Sequence, residues 1–438
     1  MKRRRGIAIV AAVAAVLTVA ACSSTPSPPA SGSSDKAKLT FWSWVPGIDK
    51  AVDLWNKQNP KIQVKLDVTP AGSNGTYAKM YSALKAGKGA PDLAQIEYQE
   101  LPGFILENGL VDLGPLGMND KKDDFVDWQL SQSTFNGKIY AVPQASGPMG
   151  LYYRSDMFDA LGLKVPTTWD EYAAAAKTIH DADPSHYITT FPPGNGAWFT
   201  SLAWQAGAKW FGLKGDTWSV NIDSPETIKV AEYWDKLRVA GLISTQPDFA
   251  NGWYSDLQNG NLLTWPSAQW GGAILSGNAP DTSGKWKAAP IPQWSNGGKF
   301  VSANWGGSTT AVLKGTSNAQ AAEKFAMWLN TNPDSINLLI AGGYGWPAVK
   351  SALNGSDLDQ PDTFLGGQNA NKDVFAASDA AVDTKWAWIP TTGATYSHLN
   401  DGFAAAVAGT GTFVDAVKAA QKATVADMKA KGLKVKEG

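Results

Sequence analysis

The sequence predicts an α/β fold arranged as lobes joined by several short crossovers, and three observations carry the prediction. Apolar segments of period 2 alternate with apolar segments of period 3.6 over residues 38–98; helix-start signals recur as far as residue 415; and no Pro/Gly/polar linker marks the middle of the 438-residue chain, where two domains joined once would show one. Strand, helix, strand, helix, strand in succession implies a mostly parallel sheet, because parallel neighbours need a crossing helix between them.

Taken in order, the chain opens with Lys2, Arg3, Arg4 and Arg5 ahead of an apolar run over residues 7–21. At 15 residues that run falls short of the ~20 needed to span a bilayer, and residues 1–21 read as a signal peptide. Small residues precede Cys22, the only cysteine, in a pattern that resembles a bacterial lipoprotein cleavage site. Cys22 is therefore the expected lipidation point, and the Ser/Pro-rich residues 22–37 a tether.

KLTFWSW then reads as a strand, with Trp42 expected in the core and Trp44, pointing the other way, at a cleft. Ile48, Val52 and Trp55 make one helical face that Pro60 ends. Ile62, Val64, Leu66 and Val68 alternate with polar residues as a half-buried strand. Asn74-Gly75-Thr76 reads as a turn opening a helix whose stripe is Tyr77, Met80, Tyr81 and Leu84, with Gly87 as its stop, and PDLAQIEY returns as a strand. Further on, Thr168 with Glu171 forms a capping box, Ser224 caps a helix beginning at Pro225, Asn318 precedes another, and Thr412 with Asp415 opens the last. On these helices Trp55, Trp169, Trp234 and Trp328 are expected to pack.

Composition narrows the function. The whole chain has 38 Lys and Arg against 39 Asp and Glu; without the four leader cations the balance is acidic, and no basic stripe exists to neutralise phosphates, which argues against nucleic acid. Three histidines and one cysteine leave little for zinc or Cys/His chemistry, and no GxSxG, phosphate-binding or dinucleotide loop is present. No metal or cofactor is expected. Ser82 and Lys85 match SxxK without its companion motifs and fit a helix's solvent face. Carboxylates are plentiful, so a secreted glycoside hydrolase using two of them stays open, as does a surface carbohydrate adhesin.

The chain is unusual in carrying 20 Trp against 15 Phe and 12 Tyr. Many lie beside Gly, Pro or Asn at element ends, in FWSWVPG, IEYQ, PPGNGAW, TWPSAQWGG, ANWGGS, GGYGWP and KWAWIPTTG. In open α/β sheets ligands bind at such ends. An indole face suits the C–H face of a pyranose, and Glu, Gln, Asn and backbone amides suit its hydroxyls.

These stretches, with APDLAQIEYQELPGFILENGLVDL and GGSTTAVLKGTSNAQAAEKFAMWL, resemble the extracellular carbohydrate-binding lipoproteins of bacterial ABC importers, relatives of maltose-binding protein, over residues 38–430. The resemblance implies a type II periplasmic-binding-protein-like fold: lobe 1 from residues 38–145 and 303–345, lobe 2 from 146–302 and 346–438, about three crossovers, and a hinged cleft. It implies a lipid-anchored monomer on the extracellular face of the membrane that captures an oligosaccharide, without catalysing a reaction, for an ABC permease. Carried over, the ligand residues are Trp44, Glu97, Tyr98, Gln99, Ser146, Asn195, Trp198, Trp270, Trp305, Gly306, Gly307, Tyr344, Trp346, Trp386 and Tyr396. At Trp270 the family's Gly-Pro is replaced by Ala268-Gln269. Gly147 offers only backbone, and Trp265 is expected in the core.

Overall fold

A computed structural model describes residues 36–437; the signal peptide, Cys22 and nearly all of the tether lie outside them. Nine strands frame the site: β1 (Ala37–Ser43), β2 (Ile62–Val68), β3 (Leu93–Glu97), β4 (Ala141–Ser146), β5 (Met149–Arg154), β6 (Thr264–Ala268), β7 (Trp286–Pro290), β8 (Ser308–Val312) and β9 (Trp346–Pro347). A six-stranded sheet runs β9-β4-β8-β3-β1-β2, and a separate three-stranded sheet runs β6-β5-β7.

The expectation of a mostly parallel sheet is corrected. β1 pairs parallel with β2 and β3, but β8 is antiparallel to both β3 and β4, and β9 to β4. The reason is direction of entry: β8 and β9 are returning segments from elsewhere in the chain, so they run against the strands laid down first. Trp346 and Pro347 thereby pair with Ser146 and Ala145 in the first sheet, although the sequence assigns them to the second lobe.

The local signals explain the helices that cover these sheets. Helix α1 (Ile48–Gln58) buries Ile48, Val52 and Trp55, and α2 (Thr76–Ala86) buries Tyr77 and Met80 and stops at Gly87, whose φ of 66° is left-handed. The boxes at α3 (Trp169–Ala182) and at the C-terminal helix Phe413–Ala430 are closed in both directions, and Ser224 caps the helix at Pro225. Asn318 makes no side-chain cap; its own N–H instead donates to Thr316 Oγ1 at 3.0 Å.

Two other expectations change. In β2 only Val64 is fully buried and Val68 is 77% exposed, because β2 is the edge strand and has one neighbour to cover it. Trp42 and Trp44 do not point apart. Both pack on the α2 side, Trp42 beneath Lys79 Nζ at 4.4 Å and Trp44 edge-on to Tyr77 at 5.8 Å, as residues two apart in extended chain must. Phe41 points to the opposite face, against Phe325 and in the core that holds Trp55. The sheet is thus packed on both sides, and its strand ends are free to build a site.

Trp55, Trp169, Trp234 and Trp265 are buried and Trp328 half-buried. Trp169 and Trp234 belong to an aromatic core under the smaller sheet, where indole edges meet ring faces at 5–6 Å separations. Ser82 and Lys85 are exposed on α2. Among the described residues no helix is long and apolar enough to cross a membrane.

Candidate functional site

The site is built where two crossovers lie back to back. Gly147 N–H donates to Asn304 Oδ1 at 2.6 Å, Trp305 N–H donates to Gly147 O at 2.8 Å, and Asn304 Nδ2 donates to Gly306 O at 2.7 Å. The approach is too close for any side chain at 147: a Cβ there would fall 2.1 Å from Trp305 O. Gly307, at φ 92°, is also confined, since a Cβ would meet Ala145 O at 2.9 Å and the Tyr98 ring at 3.1 Å.

A buried polar relay fixes the strand ends beside this knot. Ser43 Oγ and Trp44 N–H both donate to Gln95 Oε1, at 2.8 and 3.0 Å, and Gln95 Nε2 donates to Ser308 Oγ at 2.8 Å. One amide therefore sets the ends of β1 and β3 against the start of β8, which positions Trp44, Glu97 and Gly307 together.

Trp270 stands at the end of the turn after β6. Its indole N–H donates to Trp305 O at 3.1 Å, and the two ring centroids are 4.7 Å apart. Trp265 meets both rings edge-on from the core side, at 5.9 and 6.0 Å. Position 306 looks towards both chemistries at once: a Cβ there would be 3.6 Å from Trp270 Nε1 and 3.7 Å from Glu97 Oε1. Indole surface and carboxylate acceptor thus meet around one glycine, the pairing that a sugar's C–H face and hydroxyl rim require.

Glu97 Oε2 accepts from Tyr77 OH at 3.0 Å, and burial raises its carboxyl above the usual range. Glu100, one turn on, is pushed up to about 7 by burial and by the Glu97 charge. Tyr396 faces both: its phenol is raised by burial and then by Glu100 and Glu97. Asp379 is pushed up to about 6 by burial, and Trp346, then Ser146 Oγ at 3.5 Å, partly offset this. None of these carboxylates is in an ion pair among the described residues.

The remaining expected residues divide. Gln99 is buried near Glu97 and offsets part of the rise that burial imposes on its carboxyl. Tyr98 is 1% exposed, under Gly307, with its OH donating to Gln129 Oε1 at 3.1 Å; Gln129 Nε2 in turn donates to Ser146 Oγ at 3.3 Å. Tyr98 and Ser146 therefore support the knot from behind, and Tyr344 is buried next to Tyr98.

One tryptophan, Trp198, is corrected, and two others make their main contacts away from Trp270. Trp198 is 1% exposed; its N–H is spent on Pro266 O at 2.9 Å and its ring packs on Trp234 and Phe191, so no face remains for a ligand. Trp386 stacks on Trp204 at 4.8 Å. Trp346 pairs with Ser146 and stands beside Asp379, and it also lines a cavity of about 200 Å³ with Leu353 and Leu358. The sequence placed them by proximity to Gly and Pro, a signal that marks loop ends but not which side a ring faces.

Two residues escaped the sequence reading. Phe249 has φ 54°, a left-handed conformation strongly disfavoured for a bulky side chain, and it is 39% exposed while its ring lies 6.3 Å from Trp270 and 6.2 Å from Trp305. Its neighbour Asp248 accepts from Asn195 Nδ2 at 2.6 Å and is pushed up to about 6 by burial. Asn195 thus reaches the site through Asp248, while its Oδ1 caps the helix Gly196–Gln205. The segment QPDFA has no periodicity, and backbone strain is invisible in sequence.

A two-sheet α/β frame with ring surfaces and unpaired carboxylates gathered at its crossovers defines a type II periplasmic-binding-protein-like solute-binding fold. The chain belongs to the bacterial extracellular solute-binding protein family, whose pattern matches residues 42–336; this family and the relatives below are binding proteins. The arabinooligosaccharide-binding protein of Halalkalibacterium halodurans is 28% identical over 302 residues, 66% of this chain and 66% of that protein, just under two thirds of the relative's own length. Among solved structures, the ABC transporter associated binding protein from B. animalis subsp. lactis Bl-04 in complex with β-1,6-galactobiose is 28% identical with a TM-score of 0.85, covering 92% of this chain and 100% of that one. The galacto-N-biose/lacto-N-biose I-binding protein of the ABC transporter from Bifidobacterium longum, in complex with lacto-N-biose, is 29% identical with a TM-score of 0.82, covering 92% and 99%.

Proposed function

We propose that this chain captures a neutral oligosaccharide between two hinged lobes, without chemical turnover, and delivers it to an ABC permease. Trp270 and Trp305 form the stacking wall, with Phe249 completing it; Trp44, Glu97, Gln99, Gly306, Asp248 and Tyr396 supply the rest of the lining. The lobes are residues 38–146 with 303–347, and 147–302 with 348–438, since Ser146, Trp346 and Pro347 pair in the first sheet. The single observation that carries this reading is the Trp270–Trp305 pair meeting the Glu97 carboxylate at Gly306.

Sugar seated on one lobe gains contacts to the other only on closure, so ligand shifts the population towards the closed form by its differential affinity. Roughly 23 non-hydrogen atoms of a disaccharide at about 0.3 kcal/mol each give ~7 kcal/mol, a dissociation constant near 10 μM, which suits capture and release. Cys22, multiply acylated after removal of residues 1–21, would hold a monomeric protein at the extracellular face of the membrane near the permease, since more than one chain is needed for firm anchoring.

The test is calorimetry on the chain lacking residues 1–22 against mono- to tetrasaccharides. The expected result is micromolar binding that Trp270→Ala weakens by about 2 kcal/mol or more, the scale of a central aromatic anchor, with the sugar recovered intact. Unchanged affinity would reject the stacking wall, and release of shorter sugars would favour a hydrolase.

A further inference from the structure

Behind the turn that carries Trp270 lies a second cavity of about 470 Å³, within the roughly 300–1,000 Å³ range of small-molecule sites. Its walls come from distant parts of the chain: Gln269 and Ala273 around Trp270, Asn337 and Ile340 from the helix Pro333–Gly342, and Asp362 and Asn371 from the segment after β9. Carboxamides and carboxylates alternate there with the rings of Tyr152 and Phe375, which pack at 5.8 Å. The hydroxyl-binding groups are of the kind found in the cleft, while the two rings, each 1% exposed, form the cavity's floor.

Gln269 joins the two places. It immediately precedes Trp270, its backbone N–H donates to Pro148 O at the first crossover (3.0 Å), and its carbonyl accepts from Tyr152 OH (2.7 Å). Its side chain turns to the cavity, where Nε2 donates to Asn371 Oδ1 at 2.9 Å while Oε1 is buried with no partner. An acceptor left unsatisfied in this way costs free energy until a donor arrives. Asn371 opens a one-turn π-helix, Asn371–Phe375, a distortion that is concentrated at functional positions.

We propose that this cavity is a saccharide-binding extension that holds the units of a longer oligosaccharide beyond those on Trp270 and Trp305, with Gln269 and Asn371 bonding its hydroxyls. The proposal rests on the oligosaccharide reading above and adds chain-length selection to it.

The experiment is calorimetry of the wild-type chain, Gln269→Ala and Asn371→Ala with gluco- and galacto-oligosaccharides of two and of four units. The expected result is that each variant loses about tenfold in affinity for the four-unit sugar and less than twofold for the two-unit sugar of the same linkage; the retained two-unit affinity also reports an intact fold. Equal losses for both lengths, or none for either, would overturn the extension and leave the oligosaccharide reading standing. Absence of any saccharide binding by the wild-type chain would overturn both.

Discussion

Alanine at position 147 is the sharpest perturbation the crossover knot offers. Gly147 does not occupy the left-handed region, so its backbone tolerates any residue and the whole effect is steric. The added Cβ would lie 2.1 Å from Trp305 O, 2.9 Å from Trp270 Nε1 and 3.0 Å from Ala268 Cβ. A carbonyl oxygen cannot yield as a flexible side chain can, so the two crossovers must separate. That separation strains or breaks the Trp305 N–H to Gly147 O bond and the Gly147 N–H to Asn304 Oδ1 bond. Overpacking at about 1–3 kcal/mol and two hydrogen bonds at about 1 kcal/mol each give roughly 4 kcal/mol.

For a chain of roughly 400 ordered residues, unfolding entropy scales to about 0.8 kcal/mol/K, so the expected fall in Tm is about 5 °C. Thermal denaturation by circular dichroism measures it, and saccharide affinity should fall with it because Trp270 loses its seat on Trp305 O. Gly277→Ala is the control. Gly277 lies in the helix Gly271–Asn278 with open space around its would-be Cβ, so alanine there should be neutral or stabilise by up to about 1 kcal/mol. A Gly147→Ala protein with unchanged Tm and affinity would refute the close-approach argument.

Two other predictions concern charge and capping. Asp248 holds its proton more tightly in the folded protein, with a pKa of about 6 instead of 3.8, so its penalty on stability is absent below about pH 4, accumulates as pH rises to 6 and is complete above that, at most about 3 kcal/mol. Asp248→Asn, which still accepts from Asn195, should therefore raise Tm at pH 7 and leave it unchanged at pH 4; a constant offset across that range would show that the carboxyl does not titrate as described. Thr412→Ala removes both the Asp415 N–H acceptor and the hydroxyl donor of the last helix's capping box and should cost about 1 kcal/mol, read as a small drop in Tm without loss of saccharide affinity.

Much of the local architecture was legible without coordinates. Capping boxes at Thr168 and Thr412, the turn at Gly75, the stop at Gly87 and the buried stripe Ile48, Val52, Trp55 are written in residues within a few positions of one another, and the free energies that fix them are local. The places of Trp270 and Glu97 at strand ends were legible for a related reason: Glu97 closes one strand and Trp270 lies in the turn just after another, where the chain must leave the sheet.

What tertiary structure alone decided was direction and company. Whether β8 runs with or against β3 depends on where the chain comes back from, and no window of sequence contains that. Whether a tryptophan beside glycine faces a gap or a core depends on partners far along the chain: Pro266 for Trp198, Trp204 for Trp386, Trp305 for Trp270. The strained Phe249 and the unsatisfied Gln269 are of the same kind, since strain and an empty acceptor exist only relative to neighbours that the fold supplies.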